Sequence, residues 1–200
     1  MSSSPVVTSI KQVESLIFDN HDDPRPVVIM TCGLAGSGKS TFSHTLVRNH
    51  PTLTRLSIDA YIHAHHGLYK IDYPDEKYEP YQIEAESSLR QRLENTLRSS
   101  AQRDGSPPPY VLLDFSFAFK ETRDEWKNLI EQGGGRWILV YIDVEFDEIR
   151  RRVRERNHQR EIGARKNDAD AAYDVTEEIL EMYIQGFERP VGEGEIILKL

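Results

Sequence analysis

Nine consecutive residues, Gly33-Leu-Ala-Gly-Ser-Gly-Lys-Ser-Thr41, limit what this chain can fold into more than any other feature. They meet G-x-x-x-x-G-K-[ST] at Gly33, Gly38, Lys39 and Ser40, and Gly36 adds a glycine inside the pattern. Glycine tolerates positive φ and lets the backbone approach a ligand, so successive N–H groups can turn inward around phosphate oxygens. The run before, Val27 to Cys32, is apolar and of strand length, and Phe42, Leu46 and Val47 follow at helical spacing. Strand, glycine loop and helix therefore occur in the order that a phosphate cradle needs. A plain Gly/Ser turn would not fill every fixed position.

From this the sequence predicts a site for a nucleoside triphosphate, built from Gly33, Ala35, Gly36, Ser37, Gly38, Lys39, Ser40 and Thr41. Lys39 reaches the β and γ phosphates, the Ser40 hydroxyl holds Mg²⁺, and the helix that begins there points its positive end at the anion. ATP and Mg²⁺ are the expected co-substrate and cofactor.

At 200 residues and 38% hydrophobic, the chain suits a single domain with one substantial core. A net charge of −8 argues against a surface that grips nucleic acid by broad phosphate neutralisation. Cys32 is the only cysteine, which rules out an intrachain disulfide and a cysteine metal cluster. The start lacks a secretion signal and no apolar run reaches membrane-spanning length, so a cytoplasmic protein without a membrane partner is expected.

Along the chain, residues 1–5 read as a loose tail, and Val6, Ile10, Val13 and Ile17 share a helical face; 1–26 is thus an N-terminal tail and helix. Strands are expected over 27–32, 53–58, 110–114, 137–142 and 195–200. Helices are expected after the glycine loop, over 79–102, between the third and fourth strands, over 147–161 and over 175–187. Strands alternating with helices imply an α/β fold, a three-layer αβα sandwich whose parallel sheet binds ligands at the C-terminal ends of its strands. The stretch Tyr61 to Tyr81, crowded with Tyr, His and Pro, reads as a substrate-side segment.

Asp59 closes the second strand and is a candidate base for an attacking hydroxyl, against the alternative that it caps the next helix. Asp114 ends an apolar strand and is placed to support Mg²⁺ directly or through water. Phe115 follows it, where mechanical ATPases of the large ring-forming kind usually place a water-activating glutamate. Arg152 and Arg156, spaced i, i+4 in an arginine-rich segment over 147–170, could close over phosphates as a lid. Arg123 is a further candidate contact to phosphate or substrate. His63, His65 and His66 have no cysteine or acidic partner at a recognised zinc spacing, so substrate contact or plain surface is the favoured reading.

In this order the motifs resemble small P-loop kinases grouped with the AAA-type ATPase domains, akin to zeta toxins, chloramphenicol phosphotransferase and the kinase half of polynucleotide kinases. The resemblance rests on Gly33–Thr41, Leu56-Ser-Ile-Asp59, Leu112-Leu-Asp-Phe-Ser116, Arg123, the Arg152/Arg156 pair, Val175-Thr176 and the tail Phe187-Glu-Arg-Pro190. It implies a five-stranded sheet of order 2-3-1-4-5, Asp59 as the hydroxyl-activating base, Arg123 as a substrate or phosphate contact, and Arg152 or Arg156 as the lid arginine. Polynucleotide kinases carry an arginine three residues after that aspartate; here the place is Ile62. The resulting expectation is an ATP- and Mg²⁺-dependent kinase acting on a hydroxyl of a small molecule. A nucleotide-dependent switch and a polynucleotide end kinase stand as alternatives.

Overall fold

The computed structural model describes residues 4–19, 23–100, 107–161 and 175–200. In chain order the elements are β1 (Val6–Val7), α1 (Ile10–Phe18), β2 (Val27–Cys32), α2 (Lys39–Asn49), β3 (Thr54–Ser57) and α3 (Ile58–His66). A single 3-10 turn, Asp75–Lys77, leads into α4 (Tyr78–Ser100). Then come β4 (Tyr110–Asp114), α5 (Lys120–Gln132), β5 (Arg136–Asp143), α6 (Phe146–Glu161), α7 (Glu177–Gly186) and β6 (Ile196–Lys199).

All strand pairs are parallel and the sheet order is β1-β6-β5-β2-β4-β3. β2 lies in the middle, and all six of its residues are buried, which is why its sequence is apolar on both faces rather than alternating. Period two still sorts its side chains. Val27 and Ile29 face a core completed by Val13 and Ile17 of α1, Phe42 and Leu46 of α2, Ile149 and Val153 of α6 and Leu180 of α7. Val28, Met30 and Cys32 face a second core with Leu89, Leu93 and Leu97 of α4 and Trp126 and Ile130 of α5. Helices thus cover both faces, giving the expected αβα sandwich.

Five of the strands keep the order that the resemblance implied. The sixth is a correction: Val6 and Val7 pair with Ile197 and Leu198 as an edge strand, instead of beginning the first helix. α1 starts three residues later because the Ser9 hydroxyl accepts from the Gln12 amide and caps it. Nor are Ser4 and Pro5 loose, since Ser4 Oγ donates to Glu195 at 2.8 Å and the Pro5 carbonyl accepts from Ile197 N at 2.9 Å. The end of the helix expected over 79–102, and residues 162–170 of the expected lid segment, lie outside the described residues.

Candidate nucleotide and acceptor site

Because every strand runs the same way, the C-terminal ends of β2, β3, β4 and β5 open on one rim. Register makes this concrete: Ser57 pairs with Asp114, and Cys32 with Tyr141. The glycine loop leaves β2 at the middle of that rim. Gly33, Gly36 and Gly38 take φ of 153°, 85° and 105°, a region that side-chain-bearing residues rarely adopt. Space reinforces the choice at two of them. A Cβ on Gly33 would stand 2.8 Å from Ser37 Oγ, and one on Gly36 would stand 3.0 Å from Val153 Cγ2. The loop is held to the chain just past β4 by Gly33 N donating to Ser116 O at 3.0 Å.

Lys39 folds back across the loop, its Nζ donating to the carbonyls of Gly33 and Leu34 at 2.9 Å each. Burial pushes the Lys39 ammonium below its ordinary pKa, while Asp114 and Asp59 pull it upward and Arg156 pushes it further down. Lys39, Asp59, Asp114 and Arg156 are therefore electrostatic neighbours although widely separated in sequence. Ser37 Oγ is buried without a hydrogen-bond partner among the described residues, a polar atom left over inside the cradle.

Asp114 is nearly enclosed, and Arg55 of β3 holds it: Nε and Nη2 both donate to Oδ2, at 2.9 and 2.6 Å. Arg55 was not singled out in the sequence. Its partner lies 59 positions away, and only the β3–β4 pairing brings them together. Oδ1 is left clear of this grip. Ser40 lies in the first turn of α2, and its hydroxyl and the Asp114 carboxylate are both hard oxygen donors of the kind that Mg²⁺ takes.

Asp59 does not close the strand as expected. β3 ends at Ser57, whose hydroxyl accepts from Ala60 N at 3.3 Å and caps α3, so the carboxylate sits in the first helical turn and the capping role belongs to its neighbour.

Most of the α6 arginines answer to glutamates of this chain. Arg150 pairs with Glu181, Arg151 with Glu148 and Glu155, and Arg154 with Glu177. Arg152 differs: Nε donates to Glu148 at 2.7 Å while Nη1 donates to the Ser37 carbonyl of the glycine loop at 3.3 Å.

Arg123 is a correction. Its side chain is 1% exposed, paired with Glu193 through Nε at 2.9 Å and Nη2 at 2.6 Å, and Nη1 donates to the Phe117 carbonyl. A guanidinium so enclosed and so fully paired braces α5 against the segment before β6. Lys127 joins it, with Nζ 3.0 Å from Glu193.

Tail residues of the resemblance dock beside this brace, Glu188 N donating to Ala118 O and Arg189 Nε to the Tyr141 hydroxyl. Of the histidines, His65 stacks on Tyr61 at 3.9 Å and His66 on Tyr81 at 3.6 Å, with His66 Nε2 also 3.2 Å from Glu84.

A central parallel strand that delivers a glycine-rich cradle to a helix N-terminus, with a lysine across it and an acid on the adjacent strand, defines a P-loop nucleotide-binding fold. The family profile described as "AAA domain" matches residues 28–190, and the chain belongs to that family. Solved structures share this fold. A Chloroflexus aurantiacus protein put forward as a kinase is 20% identical with a TM-score of 0.63, over 88% of this chain and 85% of its own. Chaetomium thermophilum Kti12, solved with ADP-AlF3, is 18% identical with a TM-score of 0.57, over 86% and 88%. Mycobacterium tuberculosis APS kinase CysC, solved with AMPPNP and APS, is 17% identical with a TM-score of 0.51, over 88% and 90%. No curated protein matches the sequence. Among the described residues no helix is long and apolar enough to cross a membrane.

Proposed function

We propose that this chain is a kinase that transfers the γ-phosphate of ATP to a hydroxyl of a small molecule. The observation that supports the reading is a cradle of three positive-φ glycines with Lys39 across it, on the rim where β4 ends at Asp114 and α3 begins with Asp59 in its first turn. In this reading the whole chain is one domain. The loop amides from Ala35 to Thr41 bind the phosphate chain, and Lys39 exchanges its loop carbonyls for β and γ oxygens. Ser40 and Asp114 hold Mg²⁺, which when bound neutralises charge on the β and γ oxygens. Arg55 keeps the Asp114 carboxylate oriented for that task.

Asp59 accepts the proton of the acceptor hydroxyl as that oxygen bonds to the γ phosphorus and the bond to the leaving β-phosphate oxygen breaks. Arg152, already resting on the Ser37 carbonyl, and Arg156 stabilise the charge that spreads over the transferred group and keep water out. Phe115 beside Asp114 offers no base to a water, which favours an alcohol as acceptor. The test is a screen of a metabolite extract with ATP labelled in its γ-phosphate. A labelled product that appears with the wild type and not with Lys39→Ala is the expected result. Label released only as inorganic phosphate, at a rate indifferent to the extract, overturns the reading in favour of a nucleotide switch.

A further inference from the structure

The segment between α3 and α4 forms a small core of its own, in which Ile62, Tyr69, Tyr73 and Ala85 are buried. Its polar groups are nearly all answered. The Tyr69 hydroxyl donates to Asp75, the Tyr61 hydroxyl to Glu84, and Leu68 N to Asp72. Tyr73 is the exception. It is 5% exposed, its ring meets Tyr81 edge-on at 5.1 Å, and its hydroxyl has no hydrogen-bond partner among the described residues. A buried hydroxyl left unpaired is costly unless a partner arrives from outside the chain.

Tyr73 shares this small core with Ile62, which lies one helical turn beyond Asp59 on the same side of α3. Burial and, after it, the Asp59 charge push the Tyr73 hydroxyl up to about 12, so it stays a protonated donor at physiological pH. The same carboxylate also acts on Lys39. Ile62 thus ties the small core that holds the unanswered phenol to the turn of α3 that carries Asp59.

Charge narrows what could bind here. From Arg55 to Arg90 the chain carries seven carboxylates against two lysines and the two arginines at its ends, of which Arg55 is held by Asp114 and Arg90 by Glu125. Sites for phosphorylated or sulfated molecules are ordinarily built on arginine forks or lysine clusters, and this wall has the opposite sign.

We propose that this wall is the acceptor site, that Tyr73 Oη donates a hydrogen bond to a second oxygen of the acceptor, and that the acceptor is a neutral or cationic alcohol. The proposal rests on the kinase reading. In the transfer the acceptor hydroxyl gives its proton to Asp59 and its oxygen pair to the γ phosphorus. ADP leaves with the electron pair of the broken bond, and Tyr73 keeps its proton throughout.

The experiment uses an alcohol extract of cell metabolites, split at neutral pH on a quaternary-ammonium resin into a flow-through of neutral and cationic compounds and a retained anionic pool. Each is incubated with the full chain and γ-labelled ATP. Label is expected in flow-through compounds. Tyr73→Phe is expected to raise the amount of flow-through needed for half-maximal transfer about 3- to 10-fold, with the KM for ATP and the melting temperature not worsened. Label confined to the retained pool overturns the proposal while leaving the kinase reading intact. So does a Tyr73→Phe variant that leaves half-saturation by the flow-through unchanged, that melts lower, or that shifts the KM for ATP by the same factor. Label in neither pool, with ATP binding intact, overturns the kinase reading and this proposal together.

Discussion

Arg152 Nη1 donates to the backbone carbonyl of Ser37 at 3.3 Å, so an arginine of α6 rests on the phosphate loop. Glu148 steadies the other edge of the same guanidinium at 2.7 Å. Arg152→Met should therefore lower kcat by about 10²-fold, the usual cost of removing one preorganised donor to transition-state charge. Nucleotide affinity, measured by calorimetric titration, should change far less, because the cradle amides and Lys39 remain.

Asp59→Asn keeps the shape of the side chain and removes its basicity. Single-turnover transfer should fall by about 10² to 10⁴-fold, while ATP binding should change by no more than about 3-fold. Transfer that persisted at the wild-type rate would return Asp59 to a purely structural place in the first turn of α3.

Gly36 joins a φ of 85° to a close approach by Val153. Gly36→Ala should cost about 1 to 2 kcal/mol from the backbone conformation alone and should weaken binding of a fluorescent ATP analogue. Adding Val153→Ala relieves only the 3.0 Å contact, so the double variant should recover part of the affinity and not all of it.

The Arg123–Glu193 pair is buried, and removing one partner leaves a charge without an answer. Arg123→Met should destabilise the fold by about 3 to 5 kcal/mol, read as a lower urea midpoint. Burial pushes the Glu193 carboxyl up, but Arg123 and Lys127 outweigh it and hold it below the usual range. A depressed carboxylate stabilises above its unfolded pKa, about 4.3, and the stabilisation drains away as pH falls through the folded value. Glu193→Gln should lose stability at neutral pH, and its deficit against wild type should narrow below about pH 4.

Much of this was legible in the chain. β2, β4 and β5 announce themselves because a strand covered on both faces must be apolar throughout, and the loop because only glycine suits three left-handed turns so close together. What escaped shares one cause, distance along the chain. Arg55 gains meaning only when β3 lies beside β4. Arg123 looks like any polar residue of an amphipathic helix until Glu193, 70 positions later, closes over it. β1 is two residues long, too short for alternation to register, and Val6 happens to continue the helical spacing of Ile10, Val13 and Ile17.

β1 has one further consequence, for the order of assembly. A ribosome releases Val6 and Val7 well before Ile197 and Leu198, whose backbone they bond to. The margin of the sheet beyond β6 can therefore zip up only after β6 itself has emerged, and until then two valines and the helix behind them wait without their neighbour.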